Sequence, residues 1–115
     1  MDNADAIAII IARGGSKGIP RKNLADIAGK PLISYSIEKA IEASKFYPMD
    51  ILVSTEDEEI KLTAESYGAW CPFFRPKELA EDNIPSFPVV EHALSQAELI
   101  KQKKYKYIIY LQPTC

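Results

Sequence analysis

The run Ala6-Ile7-Ala8-Ile9-Ile10-Ile11-Ala12, followed directly by Arg13-Gly14-Gly15-Ser16-Lys17-Gly18-Ile19-Pro20-Arg21-Lys22-Asn23, decides the fold class. An apolar run with no polar alternation suits a strand buried on both faces, the habit of a parallel sheet. Glycine and proline punctuate the next segment, so Gly14 to Asn23 reads as loop. A basic, glycine-rich loop therefore leaves the carboxyl end of a buried strand.

Further along the chain, strand and helix signals alternate. Pro31 can open a helix in its first turn. Behind it Ile33, Ile37, Ala40 and Ile41 recur at helical spacing, with Ser34, Glu38 and Glu42 expected to face away. Asp50–Ser54, centred on Ile51-Leu52-Val53, reads as a second strand. Thr55 and Glu58 have the spacing of a capping box. The helix they open carries Ile60, Ala64 and Tyr67 on one face and stops at Gly68. Trp70–Phe74 is a third strand candidate, and Arg75 to Pro85 is loop. Pro88 stands near the start of a third helix, with Val90, Ala93, Leu94, Ala97 and Ile100 as its apolar stripe. Tyr107-Ile108-Ile109-Tyr110-Leu111 reads as a fourth, buried strand. So short a tail after a parallel strand suggests a fragment of a larger sheet.

The alternation predicts an α/β fold, a mainly parallel sheet with helices on both faces. In open sheets of this kind ligands bind beyond the carboxyl ends of the strands. That rule gathers Arg13–Asn23, Arg75–Ser86 and Gln112–Thr114 around one site.

Composition narrows the function classes. The 115 residues allow one domain or part of one. A net charge of -2 gives no global case for nucleic acid, so anion binding has to be local. The two cysteines, Cys71 and Cys115, match no zinc spacing and read as free thiols of a reducing compartment. No apolar stretch approaches the roughly 18 residues of a membrane span. The start of the chain carries Asp2 and Asp5 and lacks a basic signal-peptide region. The expectation is a cytoplasmic protein with no membrane and no nucleic-acid partner.

The first loop has the chemistry of a phosphate cradle. Four cations (Arg13, Lys17, Arg21, Lys22) and three glycines (Gly14, Gly15, Gly18) fall within ten residues. Glycines permit close backbone approach, and consecutive amides form an anion nest. Ser16 can donate a hydrogen bond. Lys17 and Lys22 are point charges, whereas Arg13 and Arg21 are planar forks suited to phosphate oxygens. No Gly-Lys-Ser/Thr closes the loop as in a Walker motif, and the glycine spacing is not that of dinucleotide binders. The competing reading is a solvated basic turn.

Ala8 to Asn23 resembles the signature of the acylneuraminate cytidylyltransferases, also called CMP-sialic acid synthetases. Three more segments resemble the same family in order and spacing: Val53-Ser54-Thr55-Glu56-Asp57-Glu58-Glu59-Ile60, Phe74-Arg75-Pro76-Lys77-Glu78-Leu79-Ala80-Glu81-Asp82, and Leu111-Gln112-Pro113-Thr114. One such match is weak; four in register are specific. The family includes relatives acting on legionaminic, pseudaminic and other nonulosonic acids. KDO cytidylyltransferases share the fold but resemble the first loop less.

The resemblance implies a Rossmann-like three-layer α/β/α domain, with residues 1–115 as the CTP-binding N-terminal portion of a cytidylyltransferase domain. It implies attack of the anomeric hydroxyl of a nonulosonic acid on the α-phosphorus of CTP, giving CMP-sugar and pyrophosphate. Carried over by matching positions, Arg13, Gly14, Gly15, Ser16, Lys17 and Lys22 would hold the triphosphate. Arg13, Lys17 and Lys22 would be the catalytic cations. Asn23 would touch the nucleotide near the ribose and α-phosphate. Arg75 and Ser86 would read the cytosine end, with the backbone near Ile84. Gln112 would face the sugar acid, with Thr114 nearby. Magnesium is implied as cofactor, its aspartate ligands belonging to the family's later half, and a homodimer is implied for a full-length relative. Departures from the family pattern fall at Ile11, Glu56, Pro85 and Cys115. Two rival readings are a nucleotide-binding module or inactive fragment without the metal-binding half, and a sugar-1-phosphate nucleotidyltransferase.

Other polar residues read as structural. His92 lies on the third helix among Val89, Val90 and Ala93, with no partner nucleophile in view. Glu56-Asp57-Glu58-Glu59 suits the negative first turn of a helix better than a metal site. Tyr105, Tyr107 and Tyr110 alternate with lysines, but Tyr107 and Tyr110 are expected in a buried strand, which argues against RNA stacking. Cys71 reads as inert packing.

Overall fold

The computed structural model describes residues 4–14, 22–81 and 84–113. Strand β1 (Ala6–Ile11) is central in a sheet of order β4-β1-β5, with β4 at Met49–Ser54 and β5 at Tyr107–Leu111. Both neighbours pair with β1 in parallel, Ala6 lying beside Met49 on one side and Tyr107 on the other. The isoleucines explain why β1 is central: Ile7, Ile9 and Ile10 are fully buried. Ile10, with Ala12, Val53 and Ile33, belongs to the core under helices α1 (Leu32–Ser44) and α2 (Glu58–Ser66). Ile7 and Ile9 pack with Leu52, Ala93 and Ala97 beneath helix α3 (Ser86–Lys101). The period-two alternation of a strand thus feeds two cores, giving the α/β/α layering.

Several local expectations change. Trp70–Phe74 does not form a strand; Trp70 makes one isolated parallel bridge to Leu52. Its carbonyl accepts from Val53 N–H and its N–H donates to Ile51 C=O, before the chain turns away. A small hairpin, β2 (Asp26–Ile27) and β3 (Lys30–Pro31), precedes α1. Its two turn residues, Ala28 and Gly29, have φ of 52° and 91°, the left-handed pair that a two-residue hairpin turn requires. Pro31 is the extended cap residue of α1 and not part of its first turn.

Ser34, expected on the outer face, is fully buried; its hydroxyl donates to Pro31 C=O at 2.7 Å, which satisfies it inside the core. Helix α2 is capped by Asp57, whose carboxylate accepts from Ile60 N–H at 3.0 Å, so the Thr55–Glu58 capping box does not form. Thr55 instead accepts from Asp57 N–H and shapes the turn before the helix. On α3 the buried stripe is Val89, Ala93 and Ala97, and Ile100 is 49% exposed.

The main correction concerns β5. It forms where expected and pairs with β1, but Tyr107, Ile108, Ile109 and Tyr110 are exposed. Among the described residues β5 is the edge of the sheet, and the helices pack on the other strands, α1 on β4 and β1 and α3 on β1. Tyr107 and Ile109 line an open apolar hollow of about 240 Å³ with Tyr47 and Met49. The buried tyrosine of this region is Tyr105, whose hydroxyl donates to Asp50.

Candidate functional site

Two adjoining clefts open beyond the carboxyl ends of β1 and β5. The first, about 70 Å³, is lined by Ile11, Arg13, Lys22, Asn23, Gln112 and Pro113. The second, about 140 Å³, shares Ile11, Arg13 and Gln112 and extends to Arg75, Glu81, Ile84, Ser86 and Tyr110. Each residue arrives for a local reason. Arg13 lies just past the last paired residue of β1, Lys22 and Asn23 form a 3-10 turn at Lys22–Leu24, and Ser86 begins α3. Gln112 is the first residue after β5.

Arg13, Lys22, Asn23, Arg75, Ser86 and Gln112, named from sequence as substrate contacts, therefore line these two clefts, and Gly14 follows Arg13 in the chain. Gly15, Ser16, Lys17 and Thr114 lie outside the described residues, as do Arg21 and Cys115. Larger hollows elsewhere, including one of about 480 Å³ beside Glu98 and Lys104, are open surface without converging cations from separate loops.

The loop's first peptide is tightly held. Asn23 Nδ2 donates to Arg13 C=O at 2.9 Å, and Gly14 N–H donates to Glu56 Oε2, also at 2.9 Å. Gly14 is buried against Asp57: a Cβ there would come within 2.6 Å of Asp57 Oδ2. Glu56, read from sequence as part of a helix start and as a departure from the family pattern, thus bonds the first peptide of the loop. Nothing local marks it, since the contact joins residues 42 apart. Glu56 Oε1 and Asn23 Oδ1 are buried and have no hydrogen-bond partner among the described residues.

Arg75 is 2% exposed, and its guanidinium is directed inward. Nε donates to Ser54 Oγ at 3.0 Å and Nη2 to Ser54 C=O at 2.5 Å. Burial pushes its pKa down to about 10, with Glu56 pulling upward and Arg13 downward, so it remains a cation at neutral pH. Arg13 Nη1 donates to Ala80 C=O at 3.2 Å, tying the first loop to the one after Arg75.

On the far wall Ser86 Oγ lies 2.8 Å from Tyr110 Oη, whose hydrogen goes to Gln112 Oε1 at 3.0 Å. With the tyrosine proton so committed, Ser86 is the donor in the first contact. The apolar pattern of β5 places Tyr110 in the core; as an edge-strand residue it belongs to the cleft. His92 packs edge-to-face on Phe73, with centroids 5.1 Å apart. Burial, then the Arg75 cation, lowers its pKa and keeps it neutral, in line with a packing role.

The arrangement can hold a polyanion at Arg13 and Lys22 and present hydroxyl and amide groups at Ser86 and Gln112. It supplies no metal cage: among the described residues no three His, Cys, Asp or Glu side chains converge. No described helix is long and apolar enough to cross a membrane.

A family model described as cytidylyltransferase matches residues 7–110. A pseudaminic acid cytidylyltransferase of Campylobacter jejuni is 51% identical over 88 residues, which are 76% of this chain and 37% of the relative. An N-acylneuraminate cytidylyltransferase of Escherichia coli is 43% identical over 108 residues, 94% of this chain and 24% of the relative. A solved CMP:2-keto-3-deoxy-manno-octonic acid synthetase complexed with CTP superposes with a TM-score of 0.70 at 24% identity, covering 94% of this chain and 39% of that one. That last likeness shows the fold. The chain spans less than two fifths of the length of each of these proteins.

Proposed function

The chain belongs to the acylneuraminate cytidylyltransferase family, and from that premise we propose that it carries the CTP-binding portion of an enzyme transferring cytidylyl groups to a nonulosonic acid. The observation that carries the reading is the convergence of Arg13, Lys22, Asn23 and Gln112 on one cleft. It continues toward Arg75 and Ser86.

In this reading the triphosphate lies along the first cleft. Arg13 and Lys22 offset its charge, and that matters most as the pyrophosphate leaves. The anomeric hydroxyl oxygen forms a bond to the α-phosphorus, the bond to the bridging oxygen breaks, and the hydroxyl proton departs. Catalysis of this kind is chiefly positioning and charge stabilisation. Ser86, Tyr110 and Gln112 form the wall on which the base and the sugar acid would be oriented. Arg75 lines the same cleft, its guanidinium held in place by Ser54. Magnesium, the cofactor the family resemblance implies, would supply further charge stabilisation at the phosphates when bound.

The test is pyrophosphate release from CTP and magnesium with pseudaminic, legionaminic and N-acetylneuraminic acids in turn, beside calorimetric binding of the four nucleoside triphosphates. The reading expects CTP to bind best and at least one of these acids to give turnover in a protein of the relatives' length. Preferred binding of UTP, GTP or dTTP would instead indicate a sugar-1-phosphate nucleotidyltransferase.

A further inference from the structure

We infer that Glu56 is a positioning residue of the phosphate loop, acting through the Arg13–Gly14 peptide; the inference rests on the assignment of this cleft to CTP. One peptide group is gripped on both sides. Its carbonyl accepts from Asn23 Nδ2 and its N–H donates to Glu56 Oε2, each at 2.9 Å. Asn23 is 5% exposed and comes from the far end of the same loop. Glu56 comes from the turn between β4 and α2. The plane of this peptide therefore depends on two side chains from different segments.

The Glu56 turn is itself fixed. Ala12 N–H donates to Ser54 C=O at 3.0 Å, extending the β1–β4 ladder to the edge of the loop. Thr55 Oγ1 accepts from Asp57 N–H, and Asp57 caps α2. Gly14 lies so close to Asp57 that a side chain there would collide. Rigid parts thus determine where the loop leaves the strand. That exit sets the direction of Arg13 and of the Gly14 amide, where a phosphate nest would begin.

A carboxylate beside a triphosphate site repels its ligand, so its presence calls for a reason. Arg75 feels two opposing charges: Glu56 raises its pKa, and Arg13 lowers it. The carboxylate offsets the mutual repulsion of these cations while accepting the Gly14 hydrogen bond. Its second oxygen is buried without a partner among the described residues, a desolvation cost that the Gly14 contact helps to offset.

The neutral isostere separates geometry from charge. Glu56→Gln keeps an acceptor oxygen for Gly14 N–H, whereas Glu56→Ala removes it. Calorimetry with CTP and with inorganic tripolyphosphate should show Glu56→Ala about tenfold weaker or worse, in the range of one lost charge-assisted hydrogen bond. Glu56→Gln should recover affinity to within about threefold of wild type, as the neutral bond is the weaker of the two. Hydrogen exchange at the Gly14 amide should be slow in the unliganded wild type. It should stay slow in Glu56→Gln and quicken in Glu56→Ala, a change that a purely structural role elsewhere in the turn would not produce.

Wild-type affinity in Glu56→Ala overturns the inference and leaves the CTP reading standing. So does a Glu56→Gln variant as weak as Glu56→Ala. A Gly14 amide exchanging at the unprotected rate in wild type also overturns it, whether or not any variant folds. If wild type binds neither CTP nor tripolyphosphate, the inference and the functional reading fail together.

Discussion

Arg75 and Ser54 are joined twice: the guanidinium donates to the serine hydroxyl at 3.0 Å and to the serine carbonyl at 2.5 Å. Arg75 N–H also donates to Thr55 C=O at 2.8 Å. A residue expected to read a nucleotide base thus also holds the end of β4 while lining the second cleft.

Replacing Arg75 should therefore cost stability before it costs recognition. Arg75→Met is expected to lose about 1.5–3 kcal/mol, the usual worth of hydrogen bonds from a charged donor. Arg75→Lys should regain only part of it, because a single ammonium cannot reproduce the planar fork. Urea denaturation of the three proteins checks this; wild-type stability in Arg75→Met would mean that the contacts with Ser54 contribute nothing net.

Gly14 should tolerate no side chain while Asp57 faces it. Gly14→Ala brings a methyl within 2.6 Å of Asp57 Oδ2 and 2.8 Å of Asp57 Cβ. An overpacking cost of about 1–3 kcal/mol is expected. Asp57→Gly alone should cost only a few tenths, since glycine is a tolerable cap. In that background the Gly14→Ala cost should largely vanish. A double-mutant cycle on melting free energies measures the coupling, and strict additivity would show that the two residues do not collide.

Lys22 should matter for binding and not for folding. It is half-buried in the 3-10 turn and lines the first cleft. Lys22→Ala is expected to weaken CTP binding by roughly 10- to 100-fold, the worth of one charged contact to phosphate. Its melting temperature should stay within about 2 °C of wild type, as for most substitutions away from the core. Calorimetry and a thermal melt test both halves. Unchanged affinity would remove the 3-10 turn from the triphosphate site.

Cys71 supplies a pH-dependent check on the core under α2. It is buried, its thiol donates to Val53 C=O at 3.3 Å, and burial raises its pKa from 9.0 to about 11. An acid whose folded pKa is raised favours the fold while protonated. Between pH 9 and 11 the unfolded chain loses a proton that the folded chain keeps, so stability falls across that window. Cys71→Ala should be less stable at about pH 8 yet lose less on going to about pH 10.5. Denaturation midpoints of both proteins at the two values give the comparison. In the folded wild type, Cys71 should resist thiol reagents until denaturant is added.

Much of this structure is legible in the sequence because it is set by short-range pattern. Ala6–Ala12 has no polar face, so it has to be buried on both sides. The spacing of Ile33, Ile37 and Ala40, and of Ile60 and Ala64, fixes two helices and their inner faces. Gly68, with φ of 100°, ends the second helix for the reason that only glycine takes that conformation freely. The expected loop after β1 is marked by composition alone, and its residues 15–21 lie outside the described residues.

What the sequence by itself determined is the parallel α/β architecture, the burial of β1 on both faces and the loops that would meet at its carboxyl end. Periodicity, turn chemistry and charge density are local and need no knowledge of the neighbours. Only the tertiary structure decided that Tyr107–Leu111 is the edge strand among the described residues, because an apolar strand reads the same whether or not another strand covers it. It also decided that Trp70 contributes one bridge, that Arg75 turns inward to Ser54, and that Glu56 holds Gly14. Each depends on which segments come within hydrogen-bond distance after the chain has folded, and contacts across tens of residues leave no periodic trace in the sequence.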